Sequence, residues 1–95
     1  MANTDLIERV GQILHQAAET HHTVYAITDG VDDDWATWYS EWLTSLSELP
    51  DLLGGVVRSE LTYMLVLLDE EYLREDPGVG WEQYYAAQLV ARFDG

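Results

Sequence analysis

The sequence contains no cysteine and no lysine among its 95 residues. Without cysteine, the chain can form no disulfide and offers no thiolate for metal binding or nucleophilic catalysis. Without lysine, four arginines stand against 18 acidic residues, and the formal net charge is −14. Because phosphate binding requires clustered Lys and Arg, this balance argues against nucleic acid and anionic membranes as partners.

Long apolar runs are also missing. The most apolar segment, Leu61 to Leu68, is too short to span a bilayer. The first residues, MANTDLIERV, carry acids where a signal peptide needs basic residues followed by an apolar run. We therefore expect a soluble, cytoplasmic protein. The acidity itself has two interpretations, a solubility or salt adaptation, or a surface that binds a basic partner or imitates DNA.

Aromatic side chains, in contrast, are abundant: four Trp, six Tyr and one Phe, in a chain that is 47% hydrophobic. Each aromatic ring buries a large area, so the chain is expected to fold despite its charge. This length suffices for one hydrophobic core and not for two. We therefore expect a single helical domain over residues 1–95.

Apolar residues at helical spacing predict four helices and an all-α fold. The predicted helices run from about Asp5 to His21, from the acids before Trp35 to Leu49, from about Val56 to Arg74, and from Trp81 to Phe93. Asn3 or Thr4 is expected to cap the first helix, and Asp32 or Asp33 the second. The expected architecture is a small, mostly antiparallel four-helix bundle.

Three local expectations refine this architecture. Residues Thr23 to Thr28 alternate like a strand but have no partner strand, so they are expected to form an extended connection. Pro50 is expected to close the second helix after Leu49. The third helix is apolar almost all round and is therefore expected to be the central, most buried helix.

The second and fourth predicted helices share a faint internal repeat. The segment WATWYSEWL, from Trp35 to Leu43, aligns with WEQYYAAQL, from Trp81 to Leu89. Trp, aromatic, Tyr, small and Leu residues match at the same spacing. A duplicated helical hairpin would make the bundle pseudo-symmetric, whereas chance similarity between two amphipathic aromatic helices is the alternative.

One face of the second helix is strongly aromatic. Residues at i, i+3, i+4, i+7, i+8 and i+11 fall on this face, and they are Trp35, Trp38, Tyr39, Trp42, Leu43 and Leu46. Such a stripe is typical of a core face, but three Trp on adjacent turns exceed what a small bundle needs. We hypothesise a docking face or a planar-ligand pocket, whose binding residues are Trp38, Trp42, Trp81, Tyr84 and Tyr25.

The first helix carries a candidate metal site. His15, Glu19 and His22 lie at i, i+4 and i+7, and the Glu-x-x-His spacing is that of carboxylate-bridged metals in helical bundles. Glu60, Asp69 and Glu82 are candidate further ligands. The alternative is an exposed or helix-capping histidine pair, because histidine suits the negative end of a helix.

The motifs of common enzymes do not occur. None of the serines lies in a G-x-S-x-G turn, and the Gly78-Val-Gly80 segment lacks the preceding strand that a phosphate loop requires. The sequence therefore predicts a small acidic, non-catalytic interaction module that docks a protein partner or its own copy through aromatic helix faces, without a cofactor. The alternative is a bundle that binds a divalent metal or small ligand, with weak enzyme activity.

Overall fold

The computed structural model describes residues 4–25 and 35–93, with the side chains of Val24 and Tyr25 excepted. These residues form five helices and no strand. The helices are α1 (Thr4–Tyr25), α2 (Trp35–Ser45), α3 (Leu49–Leu52), α4 (Arg58–Glu75) and α5 (Trp81–Phe93). The predicted all-α fold is confirmed, with α3 as an additional single turn. Within these ranges, every helix is too short or too polar to cross a membrane.

The first two helices form an antiparallel pair. The ring of His21, late in α1, lies 4.9 Å from that of Trp38, early in α2. Arg9, early in α1, forms an ion pair with Glu48, which follows α2. Residues near opposite ends of the two helices therefore meet, as the predicted antiparallel bundle requires.

The last helix packs antiparallel to α1 on its other side. His15 Nδ1 lies 2.7 Å from Glu82 Oε2, and the space beside Gly11 is occupied by the Ala86 side chain. Later residues of α1 thus contact earlier residues of α5, as in an antiparallel pair. Helix α4 packs against α2 and α5, so the four long helices surround the core in the order α1, α2, α4, α5.

The core is built from the inward stripe of each long helix. On α1 the buried residues follow the predicted spacing of i, i+3, i+4 and i+7. The side chains that are almost completely removed from water are Val10, Leu14, Leu43, Leu49, Leu53, Leu61, Leu65, Leu68 and Leu89. Leucine predominates because it is a strong helix former that also fills the space between helices with well-defined rotamers.

Helix α1 is longer than predicted. The expected extended connection is wrong for Thr23 to Tyr25, which continue the helix, while residues 26–28 lie outside the described residues. The Thr23 hydroxyl donates to the carbonyl of Glu19 at 3.0 Å, as Thr20 does to Gln16 at 2.9 Å. An alternation over so few residues is also compatible with a helix, which satisfies backbone groups that an unpaired strand would leave without partners. The expected cap of α2 at Asp32 or Asp33 also lies outside the described residues.

Helix α2 ends earlier than predicted, and Pro50 starts a helix instead of closing one. The chain bends over residues 46–48, and Pro50 lies in the first turn of α3. The Ser47 hydroxyl donates to the carbonyl of Leu43 at 2.5 Å and accepts from the N–H of Leu49 at 3.1 Å. This serine therefore competes for backbone groups at the helix end. Proline suits the first turn because its missing N–H needs no partner there.

The expectation that the third long helix is central is wrong. Helix α4 buries Leu61, Met64, Leu65 and Leu68, but its opposite face is open to solvent. Tyr63 is 67% exposed, Val66 42% and Leu73 71%. Because apolar residues lie on nearly every side of α4, its sequence does not indicate which side faces the core. The two neighbouring helices, α2 and α5, cover only one side of it.

The internal repeat has a structural counterpart. Ser40 and Ala86, which align in the repeat, are both fully buried, and so are Leu43 and Leu89. In each copy the Trp contacts the Tyr one turn later with nearly perpendicular rings. The two aligned segments thus occupy equivalent places in the two helical hairpins, α1–α2 and α4–α5, as the hypothesis of pseudo-repeated hairpins predicts.

Neighbouring residues of α4 test this packing. Leu65 is 1% exposed and Val66 is 42% exposed, so Leu65→Ala should destabilise the protein by about 2–5 kcal/mol and Val66→Ala by about 0.5 kcal/mol or less. Urea unfolding followed by circular dichroism measures both changes. Equal destabilisation by the two substitutions would contradict the orientation of α4 described here.

Candidate functional site

Aromatic side chains gather at one end of the bundle. Because neighbouring helices are antiparallel, the amino-terminal turns of α2 and α5 lie beside the carboxyl-terminal turns of α1 and α4. Trp35 and Tyr39 come from α2, Trp81 and Tyr85 from α5, and Tyr72 from α4. We call these five residues the aromatic end.

The rings of the aromatic end meet nearly at right angles. Trp35 and Tyr39 have ring centroids 6.1 Å apart at 77°, and Tyr39 and Trp81 are 6.3 Å apart at 81°. Trp81 and Tyr85 are 5.3 Å apart at 76°, and Tyr72 and Tyr85 are 6.3 Å apart at 79°. These edge-to-face contacts are favoured because the positive edge of one ring meets the negative face of the next. Rings that meet at such angles do not stack in parallel; they form the walls of a cavity.

These walls surround a cavity of about 370 Å³, a volume in the lower range of small-molecule sites. The described residues that line it are Leu14, His21, Trp35, Tyr39, Leu65, Asp69, Tyr72, Leu73, Trp81 and Tyr85. Among them, Asp69 is the one acidic side chain, and none is arginine. The cavity therefore combines mostly apolar walls with a single carboxylate.

Two hydroxyl groups hold the walls in place. The Tyr85 hydroxyl donates to Asp69 Oδ1 at 3.3 Å, and the Tyr72 hydroxyl donates to the carbonyl of Val79 at 2.6 Å. Burial, and then the nearby charge of Asp69, raises the pKa of Tyr85 well above its usual range. Tyr85 therefore stays a neutral hydrogen-bond donor, and its ring is fixed toward the cavity.

The cavity adjoins the exposed face of α4. Tyr63, Val66 and Leu73 project from one side of this helix, at spacings of three and seven residues, and Glu70 lies among them. Leu73 belongs both to this face and to the cavity lining. We call Tyr63, Val66 and Leu73 the α4 face; its apolar side chains surround Glu70, and Leu73 connects it to the aromatic end.

The predicted binding residues are distributed over several environments. All four tryptophans are partly buried, so they are neither sealed in the core nor free on the surface. Trp81 lines the cavity, and Tyr84 contacts Tyr72 at its rim. Trp42 packs against the core, and Trp38 contacts His21 and Tyr39. The side chain of Tyr25 lies outside the described residues.

Sequence reasoning missed several residues of this site. It did not assign Asp69 and Tyr85 to a common pocket, and it placed the α4 face in the core. The Trp-x-x-x-Tyr spacing shared by both repeat copies could have indicated two equivalent aromatic walls. The junction of Leu73 with the cavity has no signal in the sequence, because it depends on how α4 packs against its neighbours.

The candidate metal ligands are only partly brought together. His15 lies 2.7 Å from Glu82 and 3.6 Å from Glu19, at the edge of an open groove between α1 and α5. His22 is an exposed residue within α1. Over residues 4–25 and 35–93, no group of three or more His, Asp or Glu side chains is arranged to hold a metal ion. The described geometry thus favours a charge pair at His15, and a metal site stays an untested alternative.

Comparison with protein-family models, curated proteins and solved structures finds no match to this chain. The function is therefore argued from the geometry and charge of the molecule itself.

The His15–Glu82 pair predicts a pH-dependent contribution to stability. The hydrogen bond and negative charge of Glu82, together with the charge of Glu19, raise the pKa of His15. Stability from a raised histidine pKa is fully present below the unfolded-state value of about 6.5 and is lost as the pH rises through the higher folded value. Glu82→Gln should therefore be less stable than the wild type at about pH 5.5 and equally stable at about pH 9.

Urea unfolding of both proteins at the two pH values measures this difference. His15→Gln serves as the matched control, because in that background Glu82→Gln should have no pH-dependent effect. A destabilisation by Glu82→Gln that is the same at both pH values would contradict the charge-pair explanation.

Proposed function

We propose that this protein is a non-catalytic interaction module that docks a protein partner through the α4 face. The observation that carries the proposal is the exposure of Tyr63, Val66 and Leu73 on one side of a helix that is well ordered by its buried side. Exposed apolar residues at helical spacing are typical of helix faces that bind a partner. In such complexes a helix or a groove of the partner covers the face.

The energetic basis is the removal of apolar area from water. Burying apolar surface contributes about 25 cal/mol per Å², and large side chains at the centre of an interface contribute most. Tyr63 adds a polar tip to an apolar ring, a combination that is enriched at protein interfaces. The docking surface proposed on this basis is the α4 face with the adjoining aromatic end, whereas the sequence predicted the aromatic face of α2.

The net charge of −14 favours a basic partner. This value already includes the four arginines, and three of them, Arg9, Arg58 and Arg92, form ion pairs with acids of the same chain. A second copy would bring two strongly acidic molecules together, and like charges oppose such association. We therefore propose a partner that presents an apolar stripe flanked by lysine or arginine.

A synthetic amphipathic helix tests this proposal. The probe is a labelled peptide with a leucine stripe flanked by lysines, and its matched control carries glutamate in place of lysine. We expect the basic peptide to bind, with an affinity that falls as salt rises, and the acidic one not to bind. Val66→Ser and Leu73→Ser should each weaken binding about tenfold, as truncation at an interface centre does.

Leu46→Ser is the matched control variant, because Leu46 is 72% exposed, as Leu73 is at 71%, but lies outside the α4 face. Fluorescence anisotropy measures binding, and circular dichroism checks that each variant is folded. Equal weakening by Leu46→Ser and Leu73→Ser would show that the peptide binds by charge alone and would refute the α4 face as the docking surface. Concentration-dependent dimers in light scattering, abolished by Leu73→Ser, would replace the basic partner by a second copy.

A further inference from the structure

We propose that the cavity at the aromatic end binds a small organic cation of the alkylated-ammonium class. The inference rests on the walls and charge of this cavity and is independent of the proposed partner of the α4 face. The cavity of about 370 Å³ lies between four helices, at the end of the bundle where the aromatic rings converge.

The orientation of the rings favours a positively charged ligand. An aromatic ring carries negative charge density on its face, and a cation placed over that face is attracted to it. Because consecutive rings of the aromatic end meet at 76–81°, they can present faces to one open cavity from several directions. Tryptophan is the most favourable ring for this interaction, and the cavity contains Trp35 and Trp81.

The charge of the cavity lining also favours a cation. Asp69 supplies a carboxylate at the cavity wall, and one of its oxygens already accepts from Tyr85. A carboxylate has several lone-pair directions, so this hydrogen bond leaves acceptor capacity and negative charge for a ligand. None of the described lining residues is arginine, and the chain contains no lysine. The lining therefore offers an anion no arginine or lysine, its carboxylate repels one, and its one imidazole, that of His21, already contacts the rings of Trp38 and Tyr39.

The balance between apolar and polar groups in the lining determines which kind of cation fits. A metal ion needs several oxygen or nitrogen ligands, and the described lining offers one carboxylate with no second acid. A bare ammonium would leave N–H groups without acceptors against apolar walls. An alkylated ammonium has an apolar surface that matches the rings and a positive charge that matches Asp69.

Two sources could supply such a group, a free small molecule or an alkylated lysine side chain of another protein. Both present the same chemistry to the cavity. Choline and a peptide that carries trimethyl-lysine are the corresponding probes, and they are compared under identical conditions. Whichever probe binds more tightly identifies the source, because its remaining atoms make further favourable contacts around the cavity mouth.

The decisive comparison is between choline and its uncharged isostere, in which a quaternary carbon replaces the nitrogen. The two molecules have the same shape, so a difference in affinity reports the charge. We expect choline to bind at least about tenfold more tightly than the isostere, because the ring faces and the charge of Asp69 both attract the cation. Isothermal titration calorimetry and shifts of the indole resonances in nuclear magnetic resonance spectra measure the binding.

Substitutions locate the site. Asp69→Asn keeps an oxygen that can accept from Tyr85, so the fold is preserved while the charge is removed, and choline affinity should fall about tenfold. Trp81→Leu should cause a similar loss, and Trp81→Phe should retain much of the affinity because it keeps a ring face. Trp42→Leu is the matched control, because Trp42 is a partly buried tryptophan outside the cavity lining, and it should bind choline as the wild type does.

Several results would overturn the proposal. Equal affinity for choline and its isostere would show that the cavity recognises shape and not charge, and failure of both choline and the trimethyl-lysine peptide to bind would refute the site. Loss of binding in Trp42→Leu equal to that in Trp81→Leu would place the ligand elsewhere. If Trp81→Leu fails to fold, Asp69→Asn decides the outcome, because asparagine keeps the size and shape of aspartate.

Discussion

The packing of leucine side chains between four antiparallel helices is the interaction on which the rest of this structure depends. Leu14, Leu43, Leu65 and Leu89 come from different helices and are almost completely removed from water. With a formal net charge of −14, repulsion among the acids opposes a compact state. The apolar core must overcome this repulsion, since the Arg9–Glu48 and Arg58–Glu41 ion pairs are exposed and such pairs contribute little.

The geometry of the bundle also explains why the aromatic residues meet. In each hairpin the second helix begins with tryptophan, and the antiparallel arrangement brings the starts of α2 and α5 to the same end. Trp35 and Trp81 thus reach one cavity although they are far apart in the sequence. The leucines fill the centre, and the larger rings remain at the end, where they are packed against one another but only partly covered. An aromatic cavity is the consequence of placing rings where the core is already full.

The α4 face arises because α4 carries more apolar surface than its neighbouring helices cover. Helix α4 has apolar residues on nearly all sides, but among the described helices only α2 and α5 pack against it. Leu61, Leu65 and Leu68 are used by the core, whereas Tyr63, Val66 and Leu73 are left exposed. Leu73 joins this face to the cavity, so the two candidate binding surfaces adjoin each other. Their chemistry differs, because one offers apolar area and the other offers ring faces with a carboxylate.

Much of the helix content could be predicted from spacing, because residues three and four apart share a face whatever the helix packs against. The inward stripe of α1, the start of α5 and the glycine-containing turns follow from such local rules. The end of α1 and the role of Pro50 could not be predicted in this way. The role of Pro50 depends on competition between side-chain and backbone hydrogen bonds, as the contacts of Ser47 show. The short alternating segment that begins at Thr23 is equally compatible with a longer α1.

The sequence by itself determined that this protein is an acidic, aromatic-rich bundle of helices, since composition and periodicity act locally. Of the residues at the aromatic end, the sequence proposed Trp81 for binding and grouped Trp35 with Tyr39 on one helix face. Only the tertiary structure decided which side of α4 faces solvent and that Asp69 and Tyr85 share a cavity wall. Those outcomes depend on which helices become neighbours, and that choice is made by the packing of the whole core and not by any one segment.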